Sequence, residues 1–333
     1  MAEPLFAEFP PVSAEEWWDA VRQDLRGKDT ASLDWTDESG FTIRPFYRQE
    51  DIAGLACGVD APRGWKIWAE ARTPTEALDA IALGAEGIVA LAGADWTAVQ
   101  ARVPVHERRW VDSDAAHMAG ASPVEELALV LFEASRNPEA SAVSLPAGRS
   151  YFAEIAKFRA MRRLWKRTGA SANLHIHART SRWDKAVYSQ HTNILRATTE
   201  AMSAIAGGCD SLVTGPFDQA TGEAGEHARR LAINTQLMLR EEAYFGATAD
   251  PAAGSWYIES LTARTVDAAW ALFEQLRDGG GIKFGKRRNT KFVGVNLFPD
   301  PAERVAPDVL TRLPFRGALP FEQQRSQGGG DGA

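Results

Sequence analysis

The chain has 333 residues, 45% of them hydrophobic, enough for one large core or two smaller ones. Its net charge of −7 argues against a general nucleic-acid binder, which needs basic surface to neutralise phosphates. Cys57 and Cys209 stand far apart, without metal-type spacing or a disulfide framework, so no metal site is expected and a reducing cytoplasm is.

The start, MAEPLFAEFPPVSAEEWW, has no basic region ahead of an apolar stretch, so no secretory signal is expected. No apolar run approaches the roughly 18 residues that span a membrane. Residues 1–62 read as an arm. Ser13-Ala14-Glu15-Glu16 is a capping box before a short helix that stops at Gly27. FTIRPFYRQED follows, extended and aromatic, and then the Gly- and Ala-rich loop GLACGVDAPRG. An arm this apolar must pack on its own barrel or on a partner chain.

From Gly64 strands and helices alternate through residues 63–300. WKIWAEA is a strand, Thr75–Leu83 a helix, and GIVALAG the continuous apolar run of a buried parallel strand. Asp95–Val103 reads as a short helix and ERRWVD as a strand. Ser122-Pro123-Val124-Glu125 joins an N-cap, a first-turn proline and a box glutamate, and Val124, Leu127, Ala128 and Leu131 recur at helical spacing. SAVSLPAG is the next strand. The helix after Ser150 carries the stripe Ile155, Phe158, Met161 and Trp165. Strands ANLHIHA and SLVTGPF flank a helix over 193–206, and long helices cover 226–245 and 261–277. This alternation predicts a parallel sheet covered by helices, open or closed into a barrel. About six strands are convincing where a full barrel needs about eight. Two either hide between Leu91 and Arg109, or the barrel is shortened. Residues 301–333 read as an extension ending in a polar, Gly-rich, disordered tail from Phe321.

In NLHIHAR, Leu174 and Ile176 point one way and His175, His177 and Arg179 the other. A barrel lumen is ordinarily filled with branched apolar side chains, so these residues predict a polar lumen that needs partners or a ligand. The plainer alternative is a strand end with solvated side chains.

HMAGAS (117–122), YFAEIAKFRAMRRLW (151–165), NILRATTEAMSAIAGGCDSLVTGPFD (193–218), RRLAINTQLMLREEAYFGATADPAAGSWYIESLT (229–262) and VGVNLFP (293–299) resemble the methylmalonyl-CoA mutase family, and specifically its small, non-catalytic subunit. The arm stretch FPPVSAEEWWDAVRQDLRGKD is similar too. The resemblance implies an α/β fold, a TIM-type (β/α) barrel or a shortened form of one, with an N-terminal arm. In catalytic members it implies acyl-CoA threaded along the barrel axis, with adenosylcobalamin across the C-terminal end. It makes the Asp250–Tyr257 loop a family feature, read here as structural, with Trp256 and Tyr257 as packing anchors.

Four departures bear on chemistry. Catalytic members carry Tyr-His in G-Y-H-I-Q-E-A-G-A. Here SDAAHMAGA puts Asp114 at the tyrosine and Ala115 at the histidine, and alanine donates no hydrogen bond. If that segment is extended, His117 shares a face with Ala115. HIHARTSRW places His175 where the family has a CoA-binding arginine and Ala178 at its serine. Only PRGWKIW (62–68) remains of the phosphate-gripping loop. The cobalamin domain's D-x-H-x-x-G motif does not occur.

The resemblance therefore implies a non-catalytic subunit that stabilises a cobalamin-bearing mutase chain as a heterodimer, with a homodimer as the alternative pairing. Its aromatic arm, with Trp17, Trp18, Phe46 and Tyr47, is expected to wrap the partner. Adenosylcobalamin would reach the complex through that partner. The second reading is the barrel chain of a split acyl-CoA mutase. Its pocket candidates are His117, His175, His177, Arg179, Asn234, Gln236 and Glu241, each of which could equally be a buried, hydrogen-bonded group. The third is an acyl-CoA-binding regulatory module without catalysis.

Overall fold

A computed structural model describes residue 9 and residues 12–106, 110–137, 140–170, 173–222, 224–285, 291–313 and 315–327. The chain divides after Tyr47 into two compact units, earlier than the expected boundary at residue 62. The reason is that residues 58–59 are bound into the second unit: Gly58 N–H donates to Glu259 at 2.8 Å and Val59 N–H to Asp250 at 2.8 Å.

The first unit is small. Helix α1 (Ala14–Asp24) starts at the predicted capping box, with Ser13 Oγ accepting from Glu16 N–H and the Glu16 carboxylate accepting from Ser13 N–H at 2.8 Å. Strands β1 (Trp35–Thr36) and β2 (Thr42–Ile43) pair antiparallel. No residue of α1 is buried. Trp17 packs on Phe46 with ring centroids 3.7 Å apart, and Trp18 lies 5.0 Å from the same ring.

The second unit alternates as predicted. Its order is β3 (Lys66–Ala71), α2 (Pro74–Ala82), β4 (Gly87–Ala90), α3 (Thr97–Gln100), β5 (Val105–His106), β6 (Val111–Asp112), α4 (Asp114–Met118), α5 (Pro123–Ser135) and β7 (Ala142–Ala147). Then come α6 (Tyr151–Arg167), β8 (His175–Thr180), α7 (Thr192–Ala206), β9 (Ser211–Val213), α8 (Glu226–Glu241), α9 (Trp256–Arg277), α10 (Pro307–Leu310) and α11 (Leu319–Gln327). Thr73 and Ser122 cap α2 and α5, each followed by proline at the first helical position. Helix α8 stops before the expected Phe245. Tyr244 turns left-handed (φ 54°), and the N–H groups of Ala243 and Phe245 close back onto the carbonyls of Met238 and Leu239.

Seven strands form one parallel sheet in the order β5-β4-β3-β9-β8-β7-β6. The two edge strands are consecutive in sequence. Laid flat, they would lie about 29 Å apart, six strand spacings. The chain from His106 to Val111 reaches at most about 17 Å. The sheet therefore curls, giving a shortened TIM-type barrel whose ladder is interrupted between β5 and β6. One strand hidden in 91–110 is Val105–His106. Of ERRWVD, Val111–Asp112 is a strand, and residues 107–109 lie outside the described residues.

The core lies between sheet and helices. Ile67, Ile88, Val143, Leu145, Ile176 and Leu212 are fully buried, and so are Leu127 of α5 and Phe158 and Met161 of α6. Helix α9 packs across α5 and α6, which buries α6 on nearly every side, including Glu154, Lys157 and Arg159. Residues 321–327, expected in a disordered tail, are helical. Arg316 and Glu322 pair at 2.7 Å in full burial, Glu322 accepts from Val187 N–H at 2.6 Å, and Phe321 packs against Tyr188, Phe292 and Leu310. Residues 328–333 lie outside the described residues.

Candidate functional site

Residues level with each other in a parallel ladder share a face. The register places Lys66, Ser211, His177, Ser144 and Asp112 at one level, and Trp68, Gly87, Val213, Arg179 and Pro146 at the next. Glu70, Val89 and His106 make a third. Aromatic rings on this face meet across strands that are not neighbours. Trp110 lies 5.5 Å from Trp68 of β3, 4.3 Å from His177 of β8, and stacks on His106 of β5 at 3.4 Å with planes 13° apart. Such contacts require a concave face, so these rings span the lumen. A side chain at Gly87 would meet the Trp68 indole at 2.2 Å.

The predicted alternation in β8 holds: His177 faces the lumen while Ile176 and Ala178 are fully buried on the helix side. His175 Nε2 and His177 Nδ1 share one hydroxyl, Ser211 Oγ, at 2.9 and 2.8 Å. Burial, reinforced by Arg179, His175 and His106, pushes the His177 imidazole well below its usual pKa of 6.5. Burial also lowers His175, against the opposing pull of Asp210.

At the carboxyl ends of the strands, charges close the mouth. Arg179 pairs with Glu70 of β3 and, at 3.6 Å, with Asp114, which also takes a short hydrogen bond from Arg182. Burial opposes ionisation of Asp114, but the two guanidinium groups hold its carboxyl below the usual range.

His117 does not join this lumen. Residues 114–118 form helix α4 rather than an extended segment, so His117 and Ala115 do not share a face. Its Nδ1 lies 2.7 Å from Glu126 Oε1 and its Nε2 2.7 Å from Ser181 Oγ, all three residues being buried. Lys157 completes the cluster, 2.9 Å from Glu126 and 2.6 Å from Glu154. A Ser-His-Glu arrangement of this kind can relay a proton, but Ser181 has no exposed surface to meet a substrate.

The remaining candidates scatter. Gln236 is buried, accepting from Trp65 Nε1 at 3.1 Å. Asn234 and Glu241 are exposed on α8, the latter beside Arg240 at 2.8 Å. Sequence reasoning missed Trp68, Trp110, His106, Glu70 and Arg182. The alternation Lys66-Trp68-Glu70 in WKIWAEA was the available signal for two of them.

The Asp250–Tyr257 loop is held by one of its two expected aromatic anchors, Tyr257, and also by carboxylates: Asp250 in the loop and Glu259 just beyond it on α9. Arg159 lies 3.1 Å from Asp250 and 2.6 Å from Glu259, and Arg163 lies 2.7 Å from Glu259. Tyr257 packs beside Ile155 and Ile258, but Trp256 is 45% exposed.

The residues at the barrel mouth do not fit adenosylcobalamin as a bound cofactor. Both acids there, Glu70 and Asp114, are held by arginines, and the nearby imidazole of His117 is turned inward onto Glu126 and Ser181, so none of these three side chains is available to the group. No helix among them is long and apolar enough to cross a membrane.

Fold and site define a mutase-type parallel barrel with its axis filled and its mouth closed by ion pairs. The methylmalonyl-CoA mutase family model matches residues 142–285. The methylmalonyl-CoA mutase small subunit of Porphyromonas gingivalis is 29% identical, with 93% of this chain and 73% of that one covered. The protein named Probable methylmalonyl-CoA mutase small subunit in Mycobacterium bovis is 36% identical over 52% of this chain and 32% of its own length. Methylmalonyl-CoA mutase of Escherichia coli is 39% identical over 40% of this chain and 20% of its own. The chain is thus similar to methylmalonyl-CoA mutases through residues 142–285, and to a mutase small subunit over most of its length.

Proposed function

We propose that this chain is the non-catalytic subunit of a cobalamin-dependent acyl-CoA mutase, pairing with a cobalamin-bearing catalytic chain and stabilising it. One observation carries the reading: the axis along which catalytic relatives are expected to thread acyl-CoA is crossed by Trp68, Trp110, His106 and His177 in mutual contact. The replacement of the expected Tyr-His by Asp114 and Ala115 supports it, because neither can wedge a cofactor aside or hold a thioester carbonyl. The small-subunit names of two relatives support a partner. Two free cysteines, one of them exposed, support a reducing cytoplasm. The split-enzyme reading would need His117 in the lost imidazole's role, and its two engaged nitrogens weigh against that.

The test is purification from the native source with identification of the bound chain. A cobalamin-bearing mutase chain in stoichiometric amount is the expected result. Isolation of the chain alone or as a homodimer, or turnover by it with only a cobalamin-domain protein added, would overturn the reading.

A further inference from the structure

Helices α2 and α8 flank β3, and between them lies a cavity of about 400 Å³ at the carboxyl ends of β3 and β9. Parallel α/β folds place ligands at that end of the strands. The cavity exists because its walls are built from small residues: Ala69 of β3, Ala80 of α2 and Ala232 of α8 leave space that Leu83, Val213 and Ile233 line with apolar surface. Its size falls in the range of small-molecule sites.

The charges around it determine what it can take. At the rim Glu76, Asp79 and Glu226 are matched by Arg72, Arg229 and Arg230, so the rim carries no net charge. Within that set Arg229 lies 3.6 Å from Glu76. Deeper in, Glu70 is paired with Arg179 and Arg182 with Asp114. With acids and bases in equal number, the lining offers an ionic ligand head no net attraction of either sign. Three lining residues nevertheless have buried polar atoms without a hydrogen-bond partner: Thr214 Oγ1, Gln219 Nε2 and Arg182 Nε. Thr214 is only 6% exposed. One is a hydroxyl and two are N–H donors, so the group they lack is an acceptor.

We infer that this cavity binds an uncharged, mainly apolar small molecule through a carbonyl oxygen placed at Thr214 and Gln219. The site adjoins the lumen, sharing Trp68, Val213 and the ion-paired Glu70 and Arg182 with it, and extends outward between α2 and α8. It requires neither a partner chain nor mutase chemistry.

The experiment uses the full chain and three probes that share one alkyl body: hexanamide, hexanoate and hexylamine, each titrated by calorimetry and by chemical-shift perturbation. Hexanamide is expected to bind with a Kd of about 1 mM or tighter, and each ion at least about tenfold more weakly. Thr214→Val keeps the side-chain volume and removes the donor, so it should weaken hexanamide about tenfold. Ala232→Phe fills the slot and should abolish binding. Should that variant fail to fold, Thr214→Val and the order of the three probes still decide. No hexanamide binding at tens of millimolar, equal binding of the charged probes, or an unchanged affinity in Thr214→Val would each overturn the inference.

Discussion

Gly87 has no side chain because the Trp68 indole lies where one would be. Gly87→Ala should therefore destabilise the barrel by about 1–3 kcal/mol through overpacking, read from urea unfolding. An unchanged midpoint would mean that Trp68 is not seated in the lumen. His177 makes a second residue-scale prediction. Its folded pKa lies below the unfolded value of about 6.5, so above that pH both states are neutral. Below it the unfolded chain takes a proton that the folded lumen refuses, and stability falls as pH falls. Unfolding measured at pH 7.5, 6.5 and 5.5 should show this loss, and His177→Gln should reduce its slope. The lumen-facing set of β8 was legible from period-two alternation in NLHIHAR. Trp110 was not. It lies outside any regular strand, and no sequence period says which distant rings it will touch.

At the scale of elements, the Asp250–Tyr257 loop and the first turn of α9 hold residues 58–59 and α6 together, through Asp250 and Glu259 respectively. Removing Asp250 leaves the buried guanidinium of Arg159 short of a counter-charge. Asp250→Ala should cost about 3 kcal/mol, while Trp256→Ala, at an exposed site, should cost no more than about 0.5 kcal/mol. The reverse order would restore the aromatic-anchor reading. The sequence marked this loop as more than a turn and found Tyr257 as an anchor, but it missed Asp250, because a carboxylate gains its role from partners far along the chain. Helix starts at Ser13 and Ser122 were legible because caps are local, whereas the cap Thr73 was passed over and that helix expected from Thr75. The ends of α8 and of the last helix were less so. The left-handed Tyr244 looks like any tyrosine in sequence, and α11 is held by a buried pair, Arg316–Glu322, that reads as solvated charge.

For the whole molecule, the division after Tyr47 predicts that a chain lacking residues 1–47 still folds. If the arm serves a partner, as proposed, that truncation should weaken assembly while circular dichroism and unfolding of the barrel stay near those of the full chain. Loss of the barrel fold would assign the arm to the core instead. Ala115→His should produce no measurable isomerisation of methylmalonyl-CoA or isobutyryl-CoA with adenosylcobalamin and a cobalamin-domain protein, because groups that act as a unit fail together. Turnover in that variant would show that the filled axis does not bar substrate. A parallel sheet covered by helices was legible from alternation, but its closing toward a barrel came only from the family resemblance. The strand count was not, because β5 and β6 are only two residues each, below what any periodicity can register.

The ladder joins the barrel's first strand, β3, to its last, β9, about 145 residues later in the chain. During synthesis β3 can pair with β4 on one side, but its other edge must wait for Ser211–Val213. At ordinary elongation rates that wait is on the order of ten seconds. Throughout it, Lys66–Trp68 offers unpaired backbone beside an aromatic ring, an open template for another nascent chain. Lys66 and Glu86, charged residues at the amino-terminal ends of β3 and β4, are placed to discourage such pairing until the ring of strands can join.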